Sequence, residues 1–153
     1  VRPWKRHYRC MPWDCYINIH MTNARYMGIQ DLSRTYALAE MGILFSLFRR
    51  GFLPILSAQE IAYFKPIGPF QRFTVITTLD HWDEKYYYIR HEFYKGKSLC
   101  ARSMIRGVFV QRGVTVPTET ILKQANITVP NTIPSDEISA WKHLIETKKR
   151  QSN

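Results

Sequence analysis

Three cysteines, Cys10, Cys15 and Cys100, are too few and too unevenly spaced for a disulfide framework, and no C-x-x-C pair marks a zinc site or a redox pair. A reducing compartment is therefore expected, and no resident metal. Long hydrophobic runs are missing too: stretches such as Ile43-Leu44-Phe45 and Ile55-Leu56 fall far short of the roughly 20 residues of a membrane-spanning helix, so no transmembrane segment is expected. No signal peptide is read at the start, and a soluble, cytoplasmic protein is the expectation. There is no internal repeat and no low-complexity segment. Acidic residues are scarce, 12 against 22 Lys and Arg, and the resulting +10 charge favours polyanions, anionic surfaces or phosphorylated ligands such as coenzyme A without ranking them.

What is present is a core. Hydrophobic residues make up 45% and aromatics 14% of 153 residues, enough for one domain without metal or disulfide staples. One domain is expected over 1–153, with a core to residue 117 and an extension of short helices over 118–153. From Ala24 the apolar positions Ile29, Leu32, Tyr36, Ala39 and Ile43 recur at three- and four-residue steps, predicting an amphipathic helix of about five turns. A short helical piece through Leu47 and Phe48 follows, stopped by Gly51 and Pro54. Strands are predicted over Ser57–Phe64, Arg72–Leu79, Lys85–Tyr94 and Ser98–Gln111, with a hairpin turn at Lys95-Gly96-Lys97. After Pro117 come a turn of helix over Thr120–Gln124 and a last helix starting at Ser135 with Asp136 and Glu137 in its first turn. The order implies an α+β fold, with an antiparallel sheet packed against one long helix.

The segment Trp13–Tyr26 gathers Asp14, Tyr16, Asn18, His20 and Asn23 immediately before that helix. If it is an extended strand, the period-two rule puts Asp14, Tyr16, Asn18 and His20 on one side. Asn23 is then the capping residue, leaving free N–H groups and the positive end of the helix dipole beside them, a setting that favours an oxygen carrying negative charge.

The run His20-Met-Thr-Asn-Ala-Arg-Tyr26, with Asp14 before it, Asp31-x-x-Arg34 on the helix and Pro134 to Trp141 late in the chain, resembles the hotdog-fold thioesterases. The likeness extends from about Arg6 to Trp141 and is strongest to the thioesterase superfamily member six type and its bacterial acyl-CoA thioesterase relatives. Plant acyl-carrier-protein thioesterases are similar through Asn18 and His20. The resemblance implies a hotdog fold, in which a sheet of five to six strands wraps one central helix, followed here by a C-terminal helix. It also implies hydrolysis of an acyl-CoA or acyl-carrier-protein thioester to a free carboxylic acid and thiol, with coenzyme A or the carrier as part of the substrate and no other cofactor, by a homodimer or tetramer serving lipid metabolism. Asn18, His20, Asn23, Tyr16, Asp14 and Asp31 are the candidate catalytic residues. Tyr26 and Ile29 are candidate acyl-tunnel residues, and Arg72, Arg102 and Arg112 candidate contacts to the pantetheine phosphates.

One departure stands out. Thioesterases of the hydroxybenzoyl-CoA type place a catalytic Asp where this chain has Tyr16, and an ordinary phenol, ionising near pH ~10, is a poor base. Asp14, or Asp31 and Glu40 on the long helix, where other hotdog thioesterases carry their acid, are the alternative carboxylates. The plainer role of Asp31 is a pair with Arg34 or Thr35. His20 has the residue type suited to a base near neutrality. A non-catalytic acyl-thioester or lipid binder that lost its carboxylate is the second reading. Nucleic-acid binding through Lys85-Tyr-Tyr-Tyr-Ile-Arg90 is a weaker third, because a strand alternating between core and solvent gives the same pattern.

Overall fold

The computed structural model describes residues 3–17, 19–128, 130–131 and 133–152. Strand β1 (Trp4–Arg9) leads through a 3-10 turn at Pro12–Asp14 to α1 (Asn23–Glu40) and α2 (Leu44–Arg50). Then come β2 (Phe52–Tyr63), β3 (Arg72–Trp82), β4 (Tyr87–Lys95), β5 (Ser98–Gln111), β6 (Val114–Val116), α3 (Thr118–Gln124) and α4 (Asp136–Gln151). The strands form one antiparallel sheet in the order β1-β3-β4-β5-β2, with β6 paired to β5.

The expected helices and the four later strands are present, and two glycines mark their limits. Gly51 ends α2 at φ 73° and Gly96 turns the β4–β5 hairpin at φ 56°, both left-handed conformations in which a side chain would be strained. Strand β2 begins earlier than expected and contains Pro54. The missing N–H is tolerated because β2 pairs only with β5 and lies at the edge of the sheet. The first strand is not the Asp14–His20 segment but Trp4–Arg9, held against β3 in register from Trp4↔Thr77 to Arg9↔Arg72.

Two layers cover the sheet. Neighbouring residues of β4 point to opposite faces, so Tyr87 joins Ile43, Leu47, Phe109, Ile121 and Leu122 on the side of α2 and α3, while Tyr88 packs with Met104 and with Ile138 of α4 on the other. Helix α4 is capped by Ser135, whose hydroxyl accepts from the Ile138 N–H at 3.3 Å, and is tied down by the Arg102–Glu137 (2.6 Å) and Lys142–Asp83 (3.1 Å) pairs.

The buried stripe of α1 differs from the expected one. Tyr26, Ile29, Gln30, Ser33 and Ala37 face the sheet, whereas Leu32 and Tyr36 are 40% and 38% exposed. The helix is rotated because its polar residues find partners on the strands. The Gln30 carbonyl oxygen accepts from Ser103 Oγ (2.8 Å) and Gln59 Nε2 (3.1 Å), and Ser33 Oγ lies 2.8 Å from the Tyr8 hydroxyl. Arg34 donates to His91 Nε2 (3.1 Å), which fixes the ring proton on Nδ1, the nitrogen 3.0 Å from Thr77 Oγ1. Tyr36 is instead covered by the Arg6 guanidinium, 3.5 Å from its ring centre. Burying these side chains is tolerable because each makes at least one hydrogen bond to a strand, although the Gln30 amide nitrogen has no partner among the described residues, and the bonds fix the helix in one rotation and register.

His91 is fully buried, and burial first, then the Arg34 charge, holds its pKa well below the usual imidazole value. It stays neutral in the fold but takes up a proton in the unfolded chain below about pH 6.5. Its contribution is therefore intact above that pH and is lost on acidification toward its lower folded pKa, at up to about 1.4 kcal/mol per pH unit. The variant His91→Gln, whose side-chain oxygen can still accept from Arg34, is expected to show a flatter loss of stability between about pH 6.5 and 5 in urea titrations. An unchanged slope would show that His91 is not held neutral.

Candidate functional site

The segment leading into α1 is a tight loop, not a strand. After the 3-10 turn, Cys15 and Met21 form an isolated bridge, the Ile19 N–H bonds back to the Tyr16 carbonyl (3.2 Å), and Ile19 takes a φ of 60°. The period-two expectation therefore fails. Asp14 turns inward, 6% exposed, where Oδ2 accepts from the Met11 N–H (2.9 Å) and Oδ1 pairs with Arg25 Nε (2.8 Å). Tyr16 and His20 face outward. Asp14 thus clamps the loop to the first turn of α1, and the Thr22 N–H bonding to its carbonyl (3.0 Å) adds to the clamp. Asn18 lies outside the described residues.

The capping residue is Thr22, not Asn23. Thr22 is extended (φ −74°, ψ 155°), its Oγ1 accepts from the Arg25 N–H (3.3 Å), and its carbonyl accepts the first helical bonds. Asn23 is the first helical residue and sits on the rim of an open pocket of about 570 Å³. Tyr16, His20 and Tyr26 line it from the loop and helix, and Tyr63, Phe64 and Lys65 from the end of β2. Tyr26 is 3% exposed, its ring edge-on to Tyr63 and Phe93 with centroids 5.0 Å apart in each pair. Burial, the largest effect, pushes its pKa above the usual phenol value, with Cys100 and Tyr63 adding to it. Tyr26 can therefore donate a hydrogen bond into the pocket but cannot serve as a base.

Other predicted site residues are scattered. Ile29 is core, packed with Phe73, Val75 and Phe93. Arg72 borders a separate shallow depression near His7 and Arg9, Arg102 is engaged by Glu137 of α4, and Arg112 is an exposed residue of the β5–β6 turn with φ 52°. None of the three arginines lines the pocket beside α1, where the cation is Lys65. The Asp31 carboxylate makes the plainer of its expected contacts, a pair with the Arg34 guanidinium, whereas Thr35 Oγ1 donates to the Asp31 backbone carbonyl (2.9 Å) and not to its side chain. The aromatic run of β4 is an alternating strand: Tyr87 and Tyr88 are buried on opposite faces and Arg90 pairs with Asp80 and Glu92. It offers no stacking platform for bases.

Asp31 and Arg34 instead border a second cavity, of about 270 Å³, between the C-terminal half of α1 and the sheet. Its walls come from Leu38, Met41, Leu79, Ile89, Phe109 and Ile121, with Thr77 and Thr118 as polar points. His91 and Thr77 were not singled out from the sequence. The available signal was that His91 shares the inward face of β4 with Ile89 and Phe93, a titratable ring where the alternation calls for an apolar one. Among the described residues no group of three or more His, Cys, Asp or Glu could hold a metal ion.

Comparison with known proteins agrees with this architecture. The thioesterase-like superfamily model matches residues 10–140. A probable thioesterase of Saccharomyces cerevisiae, YBR096W, is 27% identical over 119 residues, covering 76% of this chain and 52% of its own, and the chain spans about half the length of the curated relatives it matches. Among solved structures, the Escherichia coli probable thioesterase YbaW superposes with a TM-score of 0.74 at 14% identity, over 80% of this chain and 95% of its own. The 1,4-dihydroxy-2-naphthoyl-CoA thioesterase Slr0204 of Synechocystis gives 0.71 at 16% identity, over 80% and 94%. With the family model matched over most of its length and the curled sheet around α1 in place, the chain belongs to the thioesterase-like superfamily and has the hotdog fold.

Proposed function

We propose that this protein hydrolyses acyl-CoA or acyl-carrier-protein thioesters, releasing a free acid and the thiol carrier. The observation that carries the reading is the pocket where the α1 start meets His20, Asn23, Tyr16 and Tyr26. The first-turn N–H groups of Asn23 and Ala24, at the positive end of an 18-residue helix, suit a developing oxyanion. His20 takes the proton of the attacking water, and Tyr26, fixed as a neutral phenol, donates to the carbonyl or the water. Lys65 and the net charge of +10 favour a phosphorylated carrier. Asp14 positions the loop. Asp31, eight residues along the helix from Asn23 and so about 12 Å away, serves the other cavity of its own protomer. Three free cysteines suit a reducing, cytoplasmic setting. Among the described residues no helix is long and apolar enough to cross a membrane.

The second reading, a binder of acyl thioesters without turnover, is favoured by one observation. Tyr16, 77% exposed at the pocket, is the position that the resemblance matches to the catalytic Asp of thioesterases of the hydroxybenzoyl-CoA type. Turnover of acyl-CoAs of graded chain length separates the two. On the hydrolase reading, His20→Ala lowers kcat/KM by about 10²–10⁴-fold with unchanged folding. A wild type without turnover on every chain length, made active by Tyr16→Asp, would establish the binder instead.

We also propose that the working unit is a homodimer joined through β2, with a tetramer as a further step. Strand β2 is a 12-residue edge with one partner, and Leu53, Ile55 and Leu56 on it are 54%, 46% and 38% exposed. An unpaired apolar edge of that length is a template for pairing with a second copy. Sedimentation should show no monomer at micromolar concentration, and Ile55→Lys should shift the protein toward monomer. A wild-type monomer would overturn the assembly.

A further inference from the structure

We propose that Cys10 and Cys15 are a dithiol that a small peroxide closes to a reversible disulfide, locking the loop that carries Tyr16 and His20. The two sulfurs lie 3.5 Å apart across five residues, flanking the Pro12–Asp14 turn. The spacing is not that of a C-x-x-C pair, and only the fold of the turn brings the thiols together.

The two partners are unequal, which sets the order of events. Cys10 is fully buried and pinned through its backbone, its N–H bonding to the Gln71 carbonyl (2.9 Å) and its carbonyl accepting from the Phe70 N–H (2.6 Å). Burial, then the hydrogen bond with Cys15, pushes its thiol up to about 12, so it stays protonated at neutral pH. Cys15 is half-buried and lies on the loop, so it is the first to meet a small oxidant. Cys100 is buried with its thiol turned back on the Ser98 carbonyl (3.5 Å), and it serves as an internal control.

The chemistry balances with hydrogen peroxide as the oxidant. The Cys15 sulfur takes one peroxide oxygen, becoming a sulfenic acid and releasing water. The Cys10 sulfur then attacks it; the S–S bond forms as the S–O bond breaks, and the Cys10 proton leaves with the hydroxyl as a second water. Two thiols are oxidised and one peroxide is reduced. The low thiolate fraction of Cys10 is offset by its position, since reacting atoms held about 3–3.5 Å apart act at a high effective concentration. A dithiol reductant reverses the bond by exchange.

An S–S bond is about 2.05 Å long, so the sulfurs approach by about 1.5 Å on closure. Cys10 is fixed in the core, so Cys15 supplies the movement and carries with it the adjacent Tyr16 and its own bridge to Met21. In the reduced chain the turn is held by hydrogen bonds, among them the Met11 N–H to Asp14. A covalent tie across the same turn limits its opening. Tyr16 and His20 line the pocket beside α1, so the oxidation state sets how freely that wall moves.

The test exposes the full chain to hydrogen peroxide, alkylates the remaining thiols in denaturant and digests with trypsin. Cleavage after Arg9 and Arg25 leaves Cys10 and Cys15 in one fragment and Cys100 in another. The first fragment is expected to be unalkylated and lighter by two hydrogen atoms, the second alkylated, and dithiothreitol to restore both thiols of the pair. Cys15→Ser should keep Cys10 as a free thiol under the same exposure, and Cys10→Ser should leave a Cys15 sulfenic acid that dimedone labels. Hydrogen exchange at the Met21 and Thr22 N–H groups, which bond to Ile67 and Asp14, should slow at least about tenfold in the oxidised chain. Survival of all three thiols, oxidation of Cys100 first, linkage between two chains, or unchanged exchange once the bridge has formed would each overturn the proposal. None of these readouts depends on thioester hydrolysis.

Discussion

The polar seating of α1 on the sheet is the constraint on which the rest of the structure depends. A helix held only by apolar contacts can settle in several rotations, since hydrocarbon packing is not directional. Here Gln30 on Ser103, Ser33 on Tyr8, and Arg34 on His91 and through it Thr77 accept one rotation and one register. That rotation turns Tyr26 into the pocket at one end of the helix and Arg34 toward the cavity at the other. Both spaces beside α1 are therefore consequences of the same set of hydrogen bonds.

The start of α1 is fixed by a second clamp. Asp14 is a carboxylate used for architecture: it bonds the Met11 N–H and the Arg25 side chain, closing the loop onto the helix so that His20 and Tyr16 are presented outward. A burial this complete is affordable because both oxygens are satisfied, and removing either partner would leave a charge in a poor dielectric. The acid thus belongs to the loop's frame, while His20 and Tyr16 stay exposed beside it.

The chain beyond the β-meander also shapes the cavity between α1 and the sheet. Helix α3 brings Ile121, Leu122 and Thr118 to the end of the cavity, so what reads as an extension is part of the wall. Helix α4 lies on the opposite face, where Ile138 covers Tyr88 and Met104 and the Glu137 carboxylate engages Arg102. Arg102 is thereby tied to α4.

The sequence by itself determined the helices, the four later strands and the family: the apolar spacing, the glycine stops and the turn at Gly96 are local effects, and the His20–Tyr26 run and the Asp31-x-x-Arg34 spacing lie within single segments. It also held the pairing of Asp31 with Arg34, because i,i+3 neighbours on a helix are fixed by geometry. It did not determine that Asp14 and His20 face opposite ways, since a loop with a left-handed Ile19 has no periodicity to read. Nor did it place His91 beside Arg34, 57 residues away, or turn Leu32 and Tyr36 outward in favour of Gln30 and Ser33. Those outcomes depend on partners brought by other strands. A polar side chain is buried or exposed according to whether the fold supplies its hydrogen bonds, and only the tertiary structure decides that.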